Sequence, residues 1–315
     1  MFTRVRLRLL TLSRRGLFRE RFSAMVAQLG DDRPAVRLAG VHAMAALADE
    51  WEAYRQRCID VLCAYLRTPY EPEPGPNAPR ADRLAFRASR EVRHTVISVI
   101  ASHLRSDAAV SWQGHGLDFT GATFDGGDFS LARFTGQVSF AGARFTGRVS
   151  FFRCEFTGQV RFDGATFTGD GLVSFARTEF TAGAVSFADA KFAGGRVGFD
   201  AAEFAGGRVS FGRAEFAGGR VSFDHAGFTG CLVSFDLAEF TGGRVSFGST
   251  EFAGGRVSFG RAEFAGGRVS FELAKFAGAE VDLASAEFTG GGVDLSQAAD
   301  LSRPPVFGSA GSSPS

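Results

Sequence analysis

Histidine, cysteine, carboxylate and arginine are the side chains that could carry chemistry in this chain, and spacing limits what each can do. His94 and His103 lie nine residues apart, which is no metal-ligand spacing, and His115 and His225 stand alone. No HExxH helix and no paired cysteine set occurs. Cys58, Cys63, Cys154 and Cys231 lack CxxC spacing, and unpaired cysteines of this kind suit a reducing compartment. The many Gly-Gly pairs have no Walker lysine beside them, so they read as turn glycines rather than a nucleotide loop. Asp and Glu recur with the same period as everything around them, as solubilising residues would, so a close carboxylate pair reflects spacing and not acid–base catalysis. No catalytic, cofactor-binding or metal-binding residue is assigned, and no cofactor is expected.

Arginine is the exception in its regularity. Arg196, Arg208, Arg220, Arg244, Arg256 and Arg268 fall on a twelve-residue grid, with Leu232 filling the one gap. If a turn of structure takes two such repeats, the ladder splits. Arg196, Arg220, Arg244 and Arg268 then stack on one edge, and Arg208 and Arg256 flank Leu232 on another. Like charges one strand apart, about 4.8 Å, repel, although salt screens them. The outward Glu203, Glu215, Glu239, Glu251 and Glu263 are expected to offset the charge, giving a mixed solvated surface. An anion-binding stripe is the alternative.

The elements that hold these side chains follow from the stretch Val197–Phe276, which is built from units such as VSFGRAEFAGGR. A fixed period with fixed apolar positions means stacked units. Val197 and Phe199 are two apart, as are Ala202 and Phe204, so each pair points to one face of an extended segment. Recurrent Gly-Gly argues against helix, at roughly 1 kcal/mol per glycine. Upstream the period is five: LDFTG, ATFDG, GDFSL and ARFTG, centred on Phe119, Phe124, Phe129 and Phe134. Single insertions at Gln137, Arg148 and Gln159 lengthen the period to eleven, and two-residue insertions lengthen it to twelve from about Thr181. Centres from Phe119 to Leu295 number 31, with Leu283 and Leu295 in place of Phe.

ATFDG, ARFTG and AEFAG resemble the unit of the pentapeptide-repeat family. The resemblance implies a right-handed, four-sided parallel β-helix with one unit per side, over residues 117 to about 300. Volume agrees. Twelve residues cannot close around two stacked Phe rings at interior packing density, whereas two repeats per turn leave four inward centres. Rings on successive turns then sit about 4.8 Å apart, near the offset-stacking distance. The 31 units make about eight turns and a rod of about 37 Å.

The expected divisions are a flexible basic N-terminus at 1–14, an α-helical HEAT- or armadillo-like region at 15–110, the β-solenoid at 111–300 and a disordered tail at 301–315. Helices are expected from about Gly16 to Leu29, from a cap at Asp32, from near Glu50, and from near Ser89 after a proline-rich loop at 68–81. RERFSAMVAQLG, VRLAGVHAMAALADE and CIDVLCAYLR resemble the helical region that precedes pentapeptide repeats in many actinobacterial proteins. There the second helix reads VRLGG; here Ala39 replaces the first glycine and Gly40 keeps the second. Many such relatives carry two membrane helices in front. No run of 18 apolar residues occurs here, so no spanning helix is expected. The start MFTRVRLRLLTLSRR is too interrupted for a signal peptide, and membrane contact is not expected. The helical part, with Trp112 at the join, is expected to cover the first β turn.

Charge is split. Residues 1–116 carry 18 Arg and 12 acids, and residues 117–300 carry 16 Lys or Arg and 22 acids. The basic half falls short of a dedicated nucleic-acid binder, so no specific nucleic acid is expected. The reading that follows is a non-catalytic, cytoplasmic scaffold that binds another protein, with the helical region as the expected contact. Two alternatives stay open. One is a DNA-mimicking regulator of a type II topoisomerase, as the resemblance implies for some family members. The other is an enzyme with a site between the helices and the first β turn. The uncovered C-terminal end invites a homodimer; Val306 and Phe307 folding over the last Leu layer is the competing arrangement.

Overall fold

The computed structural model describes residues 2–169, 171–181, 183–299 and 306–307. The chain divides into two compact units, Met1–Ile100 and Ala101–Ser315.

The first unit is helical: α1 Phe2–Leu29, α2 Pro34–Glu50, a 3-10 turn Glu52–Tyr54, α3 Arg55–Arg67 and α4 Arg80–Leu104, whose last turn belongs to the second unit. Several boundaries differ from the sequence expectation. α1 starts at Phe2 and so takes up the stretch expected to be flexible, because no Gly or Pro interrupts it before Gly16. The N-cap of α2 is Arg33, not Asp32, and the Asp31 carboxylate accepts the Arg33 backbone N–H at 2.8 Å. α3 begins at Arg55, after the 3-10 turn. α4 begins at Arg80, nine residues ahead of Ser89, because its first turns are good helix formers that bury little: Leu84 is 51% exposed.

Val41, Met44 and Ala48 of α2, Cys58, Ile59 and Leu62 of α3, and Val92 and Val96 of α4 are all fully buried, and α2 packs on both α1 and α3. Gly40 explains the glycine kept in the motif. A Cβ there would lie 2.9 Å from the Gln28 Cβ, so only glycine lets α1 and α2 approach this closely. Arg93, 3% exposed, donates to the Leu66 carbonyl at 2.6 Å and lies 4.3 Å over the Tyr70 ring. It thereby satisfies an orphan carbonyl at the C-terminus of α3.

The second unit is a parallel β-solenoid with four sides. Side one is a nine-stranded sheet running from Leu117–Asp118 up to Val306–Phe307. Sides two and three share a ten-stranded sheet, since strand Arg144–Ser150 passes the corner and pairs on both. Side two continues above as a three-stranded sheet, and side four is six-stranded. Register measures the turn. Leu117 pairs with Val138, Val138 with Val160, Val160 with Val185, and Val185 with Val209, so turns of 21 and 22 residues lengthen to 25 as the insertions accumulate and then settle at 24. The described residues complete seven turns and three sides of an eighth, close to the eight expected.

Each side sends one column of rings inward. Phe187, Phe211, Phe235 and Phe259 on side one are spaced 4.9 Å and lie within 7° of parallel. Across the turn, Phe211 meets Phe223 of side three edge-on, at 5.6 Å and 90°. Vertical stacking and lateral edge contact are the two arrangements that the ring quadrupole favours. Val fills the space before the centre on sides one and three, and Ala on sides two and four. Polar residues replace Ala at three points, and each finds a carbonyl one turn back. Cys154 donates to Phe129 O at 3.0 Å, Thr178 to Phe151 O at 2.5 Å and Thr250 to Phe223 O at 2.7 Å.

At two of the four corners residues other than glycine stand in the left-handed region, while at the other two the positive φ falls on glycine, as at Gly195 and Gly207. Between sides three and four these positions are Leu131, Arg153, Arg177, Ala201, His225, Ser249 and Leu273. Between sides one and two, glycine in the first turns gives way to Asp189, Arg213, Leu237 and Arg261. The left-handed turn aims the corner N–H at the next turn, as in Leu237 N–H to Gly260 O at 2.8 Å, so the ladder outweighs the cost of a side chain there. At the C-terminal end, Val306–Phe307 joins side one, with Leu283 opposite Phe307. A strand therefore stands where a disordered tail was expected; the rest of 300–315 lies outside the described residues.

Candidate functional surface

The outward side chains of the solenoid form columns, because in-register parallel pairing repeats each position one turn above itself. On side three Arg196 pairs with Arg220, Arg220 with Arg244, and Arg244 with Arg268. On side one Arg208, Leu232 and Arg256 pair in succession. The split of the ladder into two edges is thus as the spacing required.

The two columns differ in their neutralisation. Arg256 reaches Asp282 at 2.6 Å, one turn up. At other corners and sides Arg133 pairs with Glu155 at 2.7 Å, Lys191 with Glu215 at 2.8 Å and Arg213 with Asp189 at 2.7 Å. Among the described residues, none of Arg196, Arg220, Arg244 and Arg268 has a carboxylate within 4.0 Å. The expected offset by glutamates does not take the form of ion pairs here. The glutamates stand in their own columns: Glu215, Glu239, Glu263 and Glu287 on side two, and Glu155, Glu179, Glu203 and Glu251 on side four. Burial, with Glu179 and Glu251 nearby, raises the Glu203 carboxyl above its ordinary value. The Arg213 guanidinium holds Asp189 below it.

Beside the arginine column lies a shallow groove of about 460 Å³, lined by Gly219, Arg220, Gly243, Arg244, Gly266 and Arg268. A second hollow, of about 640 Å³, lies within the second unit and is lined by Arg105, Asp107, Arg133, Arg153, Arg177, Glu155 and Glu179 among others. Its charges are mixed, and Arg133 is already engaged by Glu155 through two hydrogen bonds.

The other residues weighed for chemistry remain dispersed. His225 occupies a left-handed corner and is exposed. The His103 ring stacks on Trp112 at 4.0 Å, and Trp112, fully buried, donates its backbone N–H to His103 O. Burial pushes Cys154 up to about 12 and Cys58 and Cys231 to about 11, so these thiols are poor nucleophiles. Among the described residues no group of three or more His, Cys, Asp or Glu is placed to hold a metal ion, and no helix is long and apolar enough to cross a membrane.

No curated protein and no solved structure matches the chain. Residues 115–155 match the family model described as pentapeptide repeats (9 copies). The match covers the first two turns, and among the described residues the same four sides continue from there to the strand Gly292–Asp294. With four helices before it and one five-residue unit on each side, the β part of this chain is a four-sided parallel β-solenoid, consistent with a pentapeptide-repeat β-helix, whose family model its first two turns match.

Proposed function

We propose that the protein is a non-catalytic scaffold that binds another protein. The observation that carries this reading is the rigid periodic display. Stacked Phe rings fill the interior, and whole columns of identical side chains are held outward at one strand spacing. Such a body offers long flat faces of fixed charge pattern, suited to docking rather than to enclosing a small substrate. The helical unit, whose Leu17, Val26 and Leu84 are exposed, is the proposed contact for the partner. The four free, buried cysteines support a cytoplasmic setting as part of the same reading.

Cross-linking of the full-length chain to captured partners, with mass-spectrometric mapping, tests the assignment. Cross-links concentrated on residues 1–100 support it. Cross-links confined to the solenoid overturn the helical unit as the contact. Self-association through the C-terminal end belongs to the proposal as well. Phe288 is 40% exposed on side two of the last turn, while the preceding Phe264 is fully buried. Uncovered strand edges of this kind favour pairing with a second copy.

A further inference from the structure

On side three, every neighbour one turn away along the column Arg196, Arg220, Arg244 and Arg268 is another arginine, until Leu172 below and Gly292 above end the series. The register removes one source of neutralisation: the in-register position from which Glu155 and Asp189 pair with Arg133 and Arg213 is taken here by like charge. The position from which Asp282 reaches Arg256 is serine beside Arg196, Arg220 and Arg244, and Asp294 only beside Arg268 at the top of the column. The groove alongside is lined by glycine and arginine alone. No carboxylate is part of its lining; Asp294, near Arg268 at the upper end, is held by Ser296. Farther across side three, Asp224 is occupied by the Ser246 hydroxyl and by the Gly248 N–H at 2.8 Å. Asp200 is likewise held by Ser222.

We propose that this column binds a linear phosphate chain laid along the solenoid axis, with phosphates at successive guanidiniums. The proposal goes beyond the scaffold reading and does not depend on it. A guanidinium presents a planar fork that matches phosphate oxygens two at a time. Spacing separates phosphate from peptide carboxylate. The column repeats at the strand spacing of about 4.8 Å, whereas an extended acidic peptide sets same-side carboxylates about 6.8 Å apart and drifts out of step. Phosphates along a stacked nucleic-acid strand advance about 3.4 Å each and can be drawn out to the column's pitch. The exposed aromatic of side three, Phe152, lies two turns below Arg196, so bases laid along the column would find no stacking platform beside it and binding would be blind to sequence. The acids of Glu239, Glu263 and Glu287 on the adjoining side lower the affinity without entering the groove.

The shared chemistry has two sources, inorganic polyphosphate and a single-stranded nucleic-acid backbone. Fluorescence anisotropy of the full-length chain with labelled polyphosphate and with labelled oligo-dT, from 20 to 200 mM salt, tests both. Four phosphates engaged give a slope of log K against log salt of about −2.8. Arg220→Gln combined with Arg244→Gln halves the slope to about −1.4 and weakens binding at least tenfold. Arg208→Gln, on side one, leaves both unchanged. Equal binding of the two probes assigns recognition to phosphate alone, and binding of polyphosphate only assigns the inorganic chain. The proposal fails if the double variant, with an unchanged circular dichroism spectrum, binds as the parent does. It also fails if neither probe binds at 20 mM salt, or if poly-glutamate of equal length binds more tightly than both.

Discussion

Removing one ring from the middle of a Phe column tests the account of the core most directly. Phe211 is fully buried, stacks on Phe187 and Phe235 at 4.9 Å each, and meets Phe223 edge-on at 5.6 Å. Phe211→Ala leaves a ring-sized cavity that cannot collapse, because the strands above and below hold the spacing. Phe-to-Ala changes in cores cost about 3–5 kcal/mol, and the loss of two stacks puts this site at the upper end, about 4–5 kcal/mol. Phe288 provides the internal comparison. Its unit is AEFTG on side two, but it has the same kind of neighbour, Phe264 at 4.9 Å; among the described residues it stacks on one side only, and it is 40% exposed. Phe288→Ala should cost about 2 kcal/mol. Phe211→Leu keeps most of the volume and should cost about 1–2 kcal/mol. Urea unfolding followed by circular dichroism gives the three values, and amide exchange shows whether protection falls first in the turns around residue 211. Equal costs for Phe211→Ala and Phe288→Ala, or a cost under about 1.5 kcal/mol for the first, would refute stacking from both sides as the source of core stability.

Other outcomes follow from corners and charges. Leu237 holds a φ of 61° and is 39% exposed; Leu237→Gly removes left-handed strain of about 1–2 kcal/mol against glycine's entropy cost of about 0.5–1, so a small gain in melting temperature is expected. Gly207→Ala should do the reverse, strongly, because a Cβ there would lie 2.1 Å from Gly183 O at a φ of 72°. The raised carboxyl of Glu203 penalises the fold wherever that group is charged, so Glu203→Gln should raise the melting temperature at pH 7. That advantage should vanish as pH falls through the raised value and below the unfolded one. The lowered Asp189 acts oppositely: its ion pair with Arg213 contributes above the unfolded carboxylate value and is lost as pH falls, so Asp189→Asn should destabilise at pH 7 but not at pH 2. For the proposed C-terminal contact, sedimentation should give a two-chain mass for the intact protein and one chain for Leu295→Asp; a single-chain mass at tens of micromolar intact protein would remove it.

The β part was legible in the sequence to a degree that the helical part was not, and the reason is physical. In a solenoid each unit touches only its neighbours, so the inward phase of Phe211, the 24-residue turn and the division of Arg196 and Arg208 onto different sides all follow from local period and side-chain volume. The helices depend on contacts distant in sequence. Arg93 reaching Leu66, and Gly40 admitting α1 against α2, cannot be read from any window of periodicity, and the early start of α4 has no buried stripe to announce it. Some features of the solenoid itself also needed three dimensions. The left-handed corners at Leu237 and His225 are imposed by hydrogen bonds to the next turn and not by residue preference. The return of Val306–Phe307 to side one needs an open strand edge to receive it. The arginine grid was visible from the first, but which arginines lack a carboxylate depended on what the register sets one turn above and below each of them.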